Sequence, residues 1–262
     1  MNVSAEVKMA TIKNSDKMRK EVAPMLEALL EDTLAAAKSG GRSLTAAVLF
    51  GSATGQHYVQ GKSDINTFMV FDQVDLPLLK TLLPVFNRHF KKLRARPIVV
   101  DSEFIADSTD VFPMEFLEWK EGSVAFHGVN PLDTADISRL NLRLEIEENL
   151  RGKNLRLTQS YFEVGGNPAK FRSFLESTLP TFFTVFRNIL RLTGAAPERD
   201  QDSLIKAIET KTGLRLVAFR GLLQAKKRRG KLSSAELDSL FSAYIAELDA
   251  LTRYIDSFET EK

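Results

Sequence analysis

The apolar residues of this chain change their spacing once, near Pro131, and that change limits the fold more than any other feature. Up to His127 they gather in short unbroken runs, "LTAAVLF", "INTFMVF" and "PIVV", each bounded by turn formers. Runs of that length suit strands buried on both faces. Beyond Pro131 such runs disappear, and apolar residues recur at intervals of three and four over roughly 133–163, 168–193, 201–228 and 233–258. Those intervals are the signature of amphipathic helices. The expected architecture is an α+β domain over 1–131, a mixed sheet flanked by helices, followed by an all-α helical bundle over 132–262.

Helices also alternate with the strands of the first half. Val22, Met25, Leu26, Leu29, Leu30, Leu34 and Ala37 share a face that Ser39-Gly40-Gly41 ends. A second helix is expected over 76–92, with Pro77 in its first turn. Ser102 to Ile105 reads as a short helical turn, and "VFPMEFLEWKEGSVAFHG" as extended segments about a turn at Glu121-Gly122. In the second half Phe171, Phe174, Leu175, Leu179, Phe182, Phe183, Phe186 and Leu190 make one helix apolar around most of its girth, which places it at the centre of the bundle.

Composition narrows the function classes. The 262 residues are 44% hydrophobic and 27% charged, enough to bury a sizeable interior. A net charge of +2 gives no general attraction to nucleic acid or acidic membranes, and the basic runs 88–96 and 226–231 read as solvated faces. The absence of cysteine rules out disulfides, thiolate metal sites and a cysteine nucleophile. His57, His89 and His127 fall in no metal-ligand spacing. With no apolar signal region in "MNVSAEVKMATIKNSDK" and no membrane-length apolar stretch, a cytoplasmic location is the expectation.

One stretch carries chemistry: "FGSATGQHYVQGKSDINTF", Phe50 to Phe68. A glycine after a strand lets an anion approach the backbone, Ser52 adds a hydroxyl, and the amides of a following helix would point toward negative charge. Asp64 and Asn66, two apart on a strand, would leave the same face about 6 to 7 Å apart. Two oxygen ligands opposite a phosphate seat suit a magnesium–nucleotide site.

Phe50-Gly51-Ser52, Gly61-Lys62-Ser63-Asp64-Ile65 and the apolar run 67–71 together resemble the nucleotidyltransferase superfamily. That superfamily includes DNA polymerase β, the kanamycin nucleotidyltransferases and the minimal bacterial nucleotidyltransferases. The pattern is apolar-Gly-Ser, about a dozen residues, then Ser-Asp-apolar-Asp-apolar; it covers roughly 30 residues strongly and the α/β half to about residue 128. The resemblance implies two magnesium ions held by three carboxylates, and transfer of a nucleoside monophosphate to a hydroxyl as pyrophosphate leaves. By this mapping Gly51 and Ser52 match the phosphate turn, with Lys62 and Ser63 beside it, and Asp64 matches the first carboxylate.

Asn66 stands where the second carboxylate belongs. An amide oxygen can ligate magnesium, as in protein kinases, but removing a negative charge weakens the hold on a second cation. The third acid would come from the strand over 97–100, where Ile98 lies near the matching position; Asp101 and Glu115 are the alternatives. Asp101 has the wrong strand parity. Glu115, between Met114 and Phe116, is expected to be half-buried, with a structural ion pair or cap as its competing role.

The functional expectation is therefore a nucleotidyltransferase-type protein with transfer weakened or lost, using a nucleoside triphosphate and a small-molecule or protein hydroxyl acceptor. The alternative is a non-catalytic nucleotide-binding or regulatory, antitoxin-like interaction protein. A homodimer is compatible with either. Lys62 could equally be a solvated lysine, and His57 an exposed loop residue. Trp119, the single tryptophan, is expected at strand spacing in a core or interface. The helical ribonucleases that pair with some minimal nucleotidyltransferases carry an arginine closely followed by histidine, and no histidine follows His127.

Overall fold

The computed structural model describes residues 12–55, 58–94, 96–164, 166–228 and 232–260. His57 and the 229–231 end of the second basic run lie outside the described residues. The chain divides into two compact units, residues 1–136 and 137–262. Among the described residues there are four strands and nine α-helices, and none of the helices is long and apolar enough to cross a membrane.

The first unit is an α+β layer. Strands β1 (Leu44–Phe50), β2 (Asn66–Phe71), β3 (Ile98–Asp101) and β4 (Val124–His127) form one mixed sheet in the order β3-β2-β1-β4. β1 runs antiparallel to both β2 and β4, whereas β2 and β3 are parallel. One face, carrying Ala47, Leu49, Met69 and Phe71, packs under helices α1 (Ala23–Ser39) and α2 (Leu76–Leu93). From the other face Phe68 meets Trp119, ring centroids 5.3 Å apart. Burial on both sides is why these strands read as continuous apolar runs rather than as alternation.

Two local devices hold the helices in register with this sheet. Asp75 caps α2, its carboxylate accepting from Leu78 N at 2.9 Å while Arg42 pairs with it. At the end of β3, Asp101 caps the short helix α3 (Ser102–Asp107) by accepting from Phe104 N at 3.0 Å. Each satisfies a backbone donor that the helix itself cannot.

The stretch 113–120 departs from expectation. It forms helix α4 (Pro113–Lys120) rather than an extended segment, and a turn then leads into β4. Apolar residues at 114 and 116, and again at 117 and 119, mimic strand alternation over so few residues. Pro113 at the first helical position fixes φ where no N–H is needed. Trp119 is thus a helical residue, half-buried among Phe50, Phe68 and Phe116.

The second unit is helical throughout its described residues: α5 (Arg139–Glu163), α6 (Pro168–Leu192), α7 (Gln201–Thr212), α8 (Val217–Arg228) and α9 (Ser234–Asp256). α6 packs against all four others, and Phe171, Leu175, Phe182 and Phe186 are buried along it. At the start of α9, Ser233 and Glu236 form a reciprocal capping box.

The single helix expected over 201–228 is two. Gly213, with φ +71°, ends α7 in a left-handed cap. Carboxylates from elsewhere then open α8: Glu209 accepts from Leu216 N at 2.9 Å, and Glu247 of α9 accepts from Ala218 N at 2.7 Å and Phe219 N at 3.2 Å.

Candidate functional site

β1 ends where the chain must turn sharply. Phe50 is extended, Gly51 has φ +78°, and residues Gly51–Thr54 form a single 3-10 turn. Thr54 Oγ1 donates to Gly51 O at 2.9 Å, Gly55 N donates to Ser52 O at 3.1 Å, and buried Ala53 anchors the turn from below. Gly51 and Ser52 remain exposed. No α-helix follows Ser52 directly, so the turn offers its own backbone and hydroxyl but no helix dipole.

Asn66 opens β2 directly across the ladder from Phe50. A methyl group on Gly51 would stand 3.4 Å from Asn66 Nδ2, so the Gly-Ser turn and Asn66 are neighbours. Ile65 is buried, and its N–H donates to Leu93 O at 2.8 Å. On either side of Ile65, Asp64 is exposed and Asn66 half-buried. Asp64 lies just before the strand, its side chain 56% exposed.

The loop before Asp64 is held by local hydrogen bonds. Ser63 Oγ accepts from Val59 N at 2.9 Å, while the N–H groups of Lys62 and Ser63 donate to Val59 O at 3.0 and 2.8 Å. Lys62 is exposed. Arg94, in a left-handed cap at the end of α2, places Nε 3.7 Å from Asp64 Oδ1 and donates from its guanidinium to Gly61 O at 3.2 Å. Sequence reasoning passed over Arg94 because it sits in a basic run that reads as a solvated face; only the ending of α2 brings it back to the loop.

The other acids named from sequence lie elsewhere. Asp101 pairs with Phe71 across the parallel β2–β3 ladder, five residues along β2 from Asn66, or about 16 Å. Its carboxylate is engaged as the cap of α3. Ile98 pairs with Phe68, and β3 carries no acid before Asp101. Arg96 lies over the Phe90 ring at 4.6 Å and donates to Asn87 Oδ1 at 3.0 Å. Glu115 is exposed in the first turn of α4, against the expectation of half-burial, because Met114 and Phe116 take the inward positions of that helix.

The structure thus brings Gly51 to Asn66, with Asp64 two residues before it and Lys62 and Ser63 on the preceding loop. Among the described residues no three histidine or acidic side chains group as a metal site. One carboxylate and one amide oxygen suit a single magnesium ion whose other ligands are phosphate oxygens and water. They do not suit two ions bridged by shared carboxylates. No protein-family model matches the chain, and no curated protein matches it significantly.

Proposed function

We propose that the first unit is a nucleotidyltransferase-type domain that binds a nucleoside triphosphate at the Gly51–Ser52 turn, with nucleoside monophosphate transfer to a hydroxyl acceptor weakened or lost. The observation that carries this reading is the juxtaposition of the left-handed Gly51 with Asn66, with an exposed Asp64 two residues before that asparagine. Gly51 and Ser52 would seat phosphate. Asp64 and the Asn66 amide oxygen would hold one magnesium ion, which when bound would neutralise phosphate charge. Lys62 adds a cation at the mouth.

The reading of reduced catalysis rests on charge. A two-ion clamp needs carboxylates that bridge both cations, and here the second is an amide, the matching β3 position is Ile98, and Asp64 already faces Arg94. The same charge count favours a second reading, in which the domain binds nucleotide without catalysis and acts as a regulatory, antitoxin-like partner.

Calorimetric titration with magnesium and each nucleoside triphosphate, on wild type, Asn66→Asp and Asp64→Ala, tests both. The expected result is weak magnesium-dependent binding in wild type, tightened in Asn66→Asp by about tenfold as a formal charge is restored, and lost in Asp64→Ala. Turnover gained only by Asn66→Asp would support a degenerate transferase. Nucleotide binding indifferent to Asp64, or absent from every variant, would overturn the assignment.

A further inference from the structure

Helix α2 has two apolar stripes, and the fold of its unit buries only one of them fully. Leu78, Leu82, Val85, His89 and Leu93 are buried against α1 and the sheet. Leu76, Leu79, Leu83, Phe86 and Phe90 form the second, on a helix that also holds Pro84. Leu76 is 62% exposed, Leu79 43%, Leu83 58% and Phe90 40%; Phe86 rests half-buried on the core and Phe90 carries the Arg96 guanidinium over its ring. Their spacing, alternately three and four residues, is that of a and d positions in a heptad, the narrow seam that a second helix packs into. From Leu76 to Phe90 it runs about 21 Å.

The charge beside the seam selects its occupant. α2 contains Lys80, Arg88, Lys91 and Lys92 and no acid. Arg88 is committed to Asp32 at 2.9 Å on the α1 side. Lys80 and Asn87 occupy e positions that border the seam, and Lys91 lies one step further round the helix on the same side. Lys80 and Lys91 pair with no acid among the described residues. A second copy of α2 would bring no helical carboxylate to meet them, whereas glutamates flanking a partner's apolar stripe would neutralise them.

We propose that the Leu76–Phe90 seam docks an acidic amphipathic helix of a partner protein. Leucine-like side chains of the partner fill the spaces between Leu79, Leu83 and Phe86, and its flanking carboxylates meet Lys80 and Lys91. The proposal stands independently of nucleotide binding, since none of the seam residues belongs to the Gly51–Asn66 site.

The test uses the full chain and two fluorescent peptides of about four heptads, both with leucine at a and d, one with glutamate and one with lysine at e and g. Fluorescence anisotropy should show the acidic peptide binding at least about tenfold more tightly, with the difference shrinking as salt rises. Leu83→Gln with Phe90→Gln should remove that binding, and Leu83→Gln alone, at a side chain 58% exposed, should weaken it while the thermal midpoint holds. Lys80→Glu with Lys91→Glu should reverse the preference. Equal binding of both peptides, or acidic binding that survives loss of Leu83 and Phe90, overturns the proposal. So does a self-associated chain in sedimentation that Leu83→Gln dissociates, or capture by phosphatidylserine vesicles with no affinity for the acidic peptide.

Discussion

Gly51 and Asn66 meet at the loop end of the β1–β2 ladder, close enough that a methyl group on Gly51 would stand 3.4 Å from the Asn66 amide nitrogen. The glycine is also left-handed, with φ +78°. Both constraints act on the same backbone unit.

Gly51→Ala should therefore destabilise the first unit by about 1 to 2 kcal/mol through the strained φ alone. Urea unfolding followed by the fluorescence of Trp119, the single tryptophan, reads that unit directly, since its ring lies against Phe50 and Phe68. An unchanged midpoint would mean that the turn relaxes without cost.

Asp32 should support an acid limb in the stability profile. The His89 imidazole beside it at 2.7 Å, and then the Arg88 guanidinium, hold its carboxyl below the ordinary value of 3.8. A depressed native pKa means that the unfolded chain takes up the proton first. The contribution is full above pH 3.8 and is lost as pH falls through the lower native value. Thermal midpoints measured from pH 6 downward should fall less steeply in Asp32→Asn, which at neutral pH should already be about 1 kcal/mol less stable.

Glu247 should behave in the opposite sense. Burial pushes its carboxyl up from 4.5, although the N–H groups opening α8 pull against that shift. The native state then holds the proton more tightly than the unfolded chain, so its contribution is greatest below pH 4.5 and declines as pH rises through the raised native value. Glu247→Gln should flatten that decline. Glu247→Ala should cost about 1 to 3 kcal/mol by leaving the Ala218 and Phe219 N–H groups without acceptors, measured by chemical denaturation at neutral pH. A variant as stable as wild type would show that water replaces the carboxylate there.

What could be read from the sequence depended on how far each signal reached along the chain. The β1 and β2 runs and α2, with Pro77 in its first turn, were legible because burial on a sheet face and helical periodicity act over a few neighbouring residues. α4 was not, since eight residues with apolar pairs at 114/116 and 117/119 satisfy a strand period while 116 and 119 satisfy a helical one. The break between α7 and α8 was half legible: Gly213 marks the stop, but the restart at Val217 depends on Glu247, thirty residues later.

The candidate site divides in the same way. The amino-acid order alone set Gly51 and Ser52 just after the first strand and Asn66 at the opening of the second. Only the tertiary structure decided that Asp101 faces the far end of the sheet, that Arg94 approaches Asp64, and that α2 keeps a second apolar seam exposed. Strand register and helix endings set those distances. Both arise from packing between segments that the chain order leaves far apart, so no local pattern encodes them.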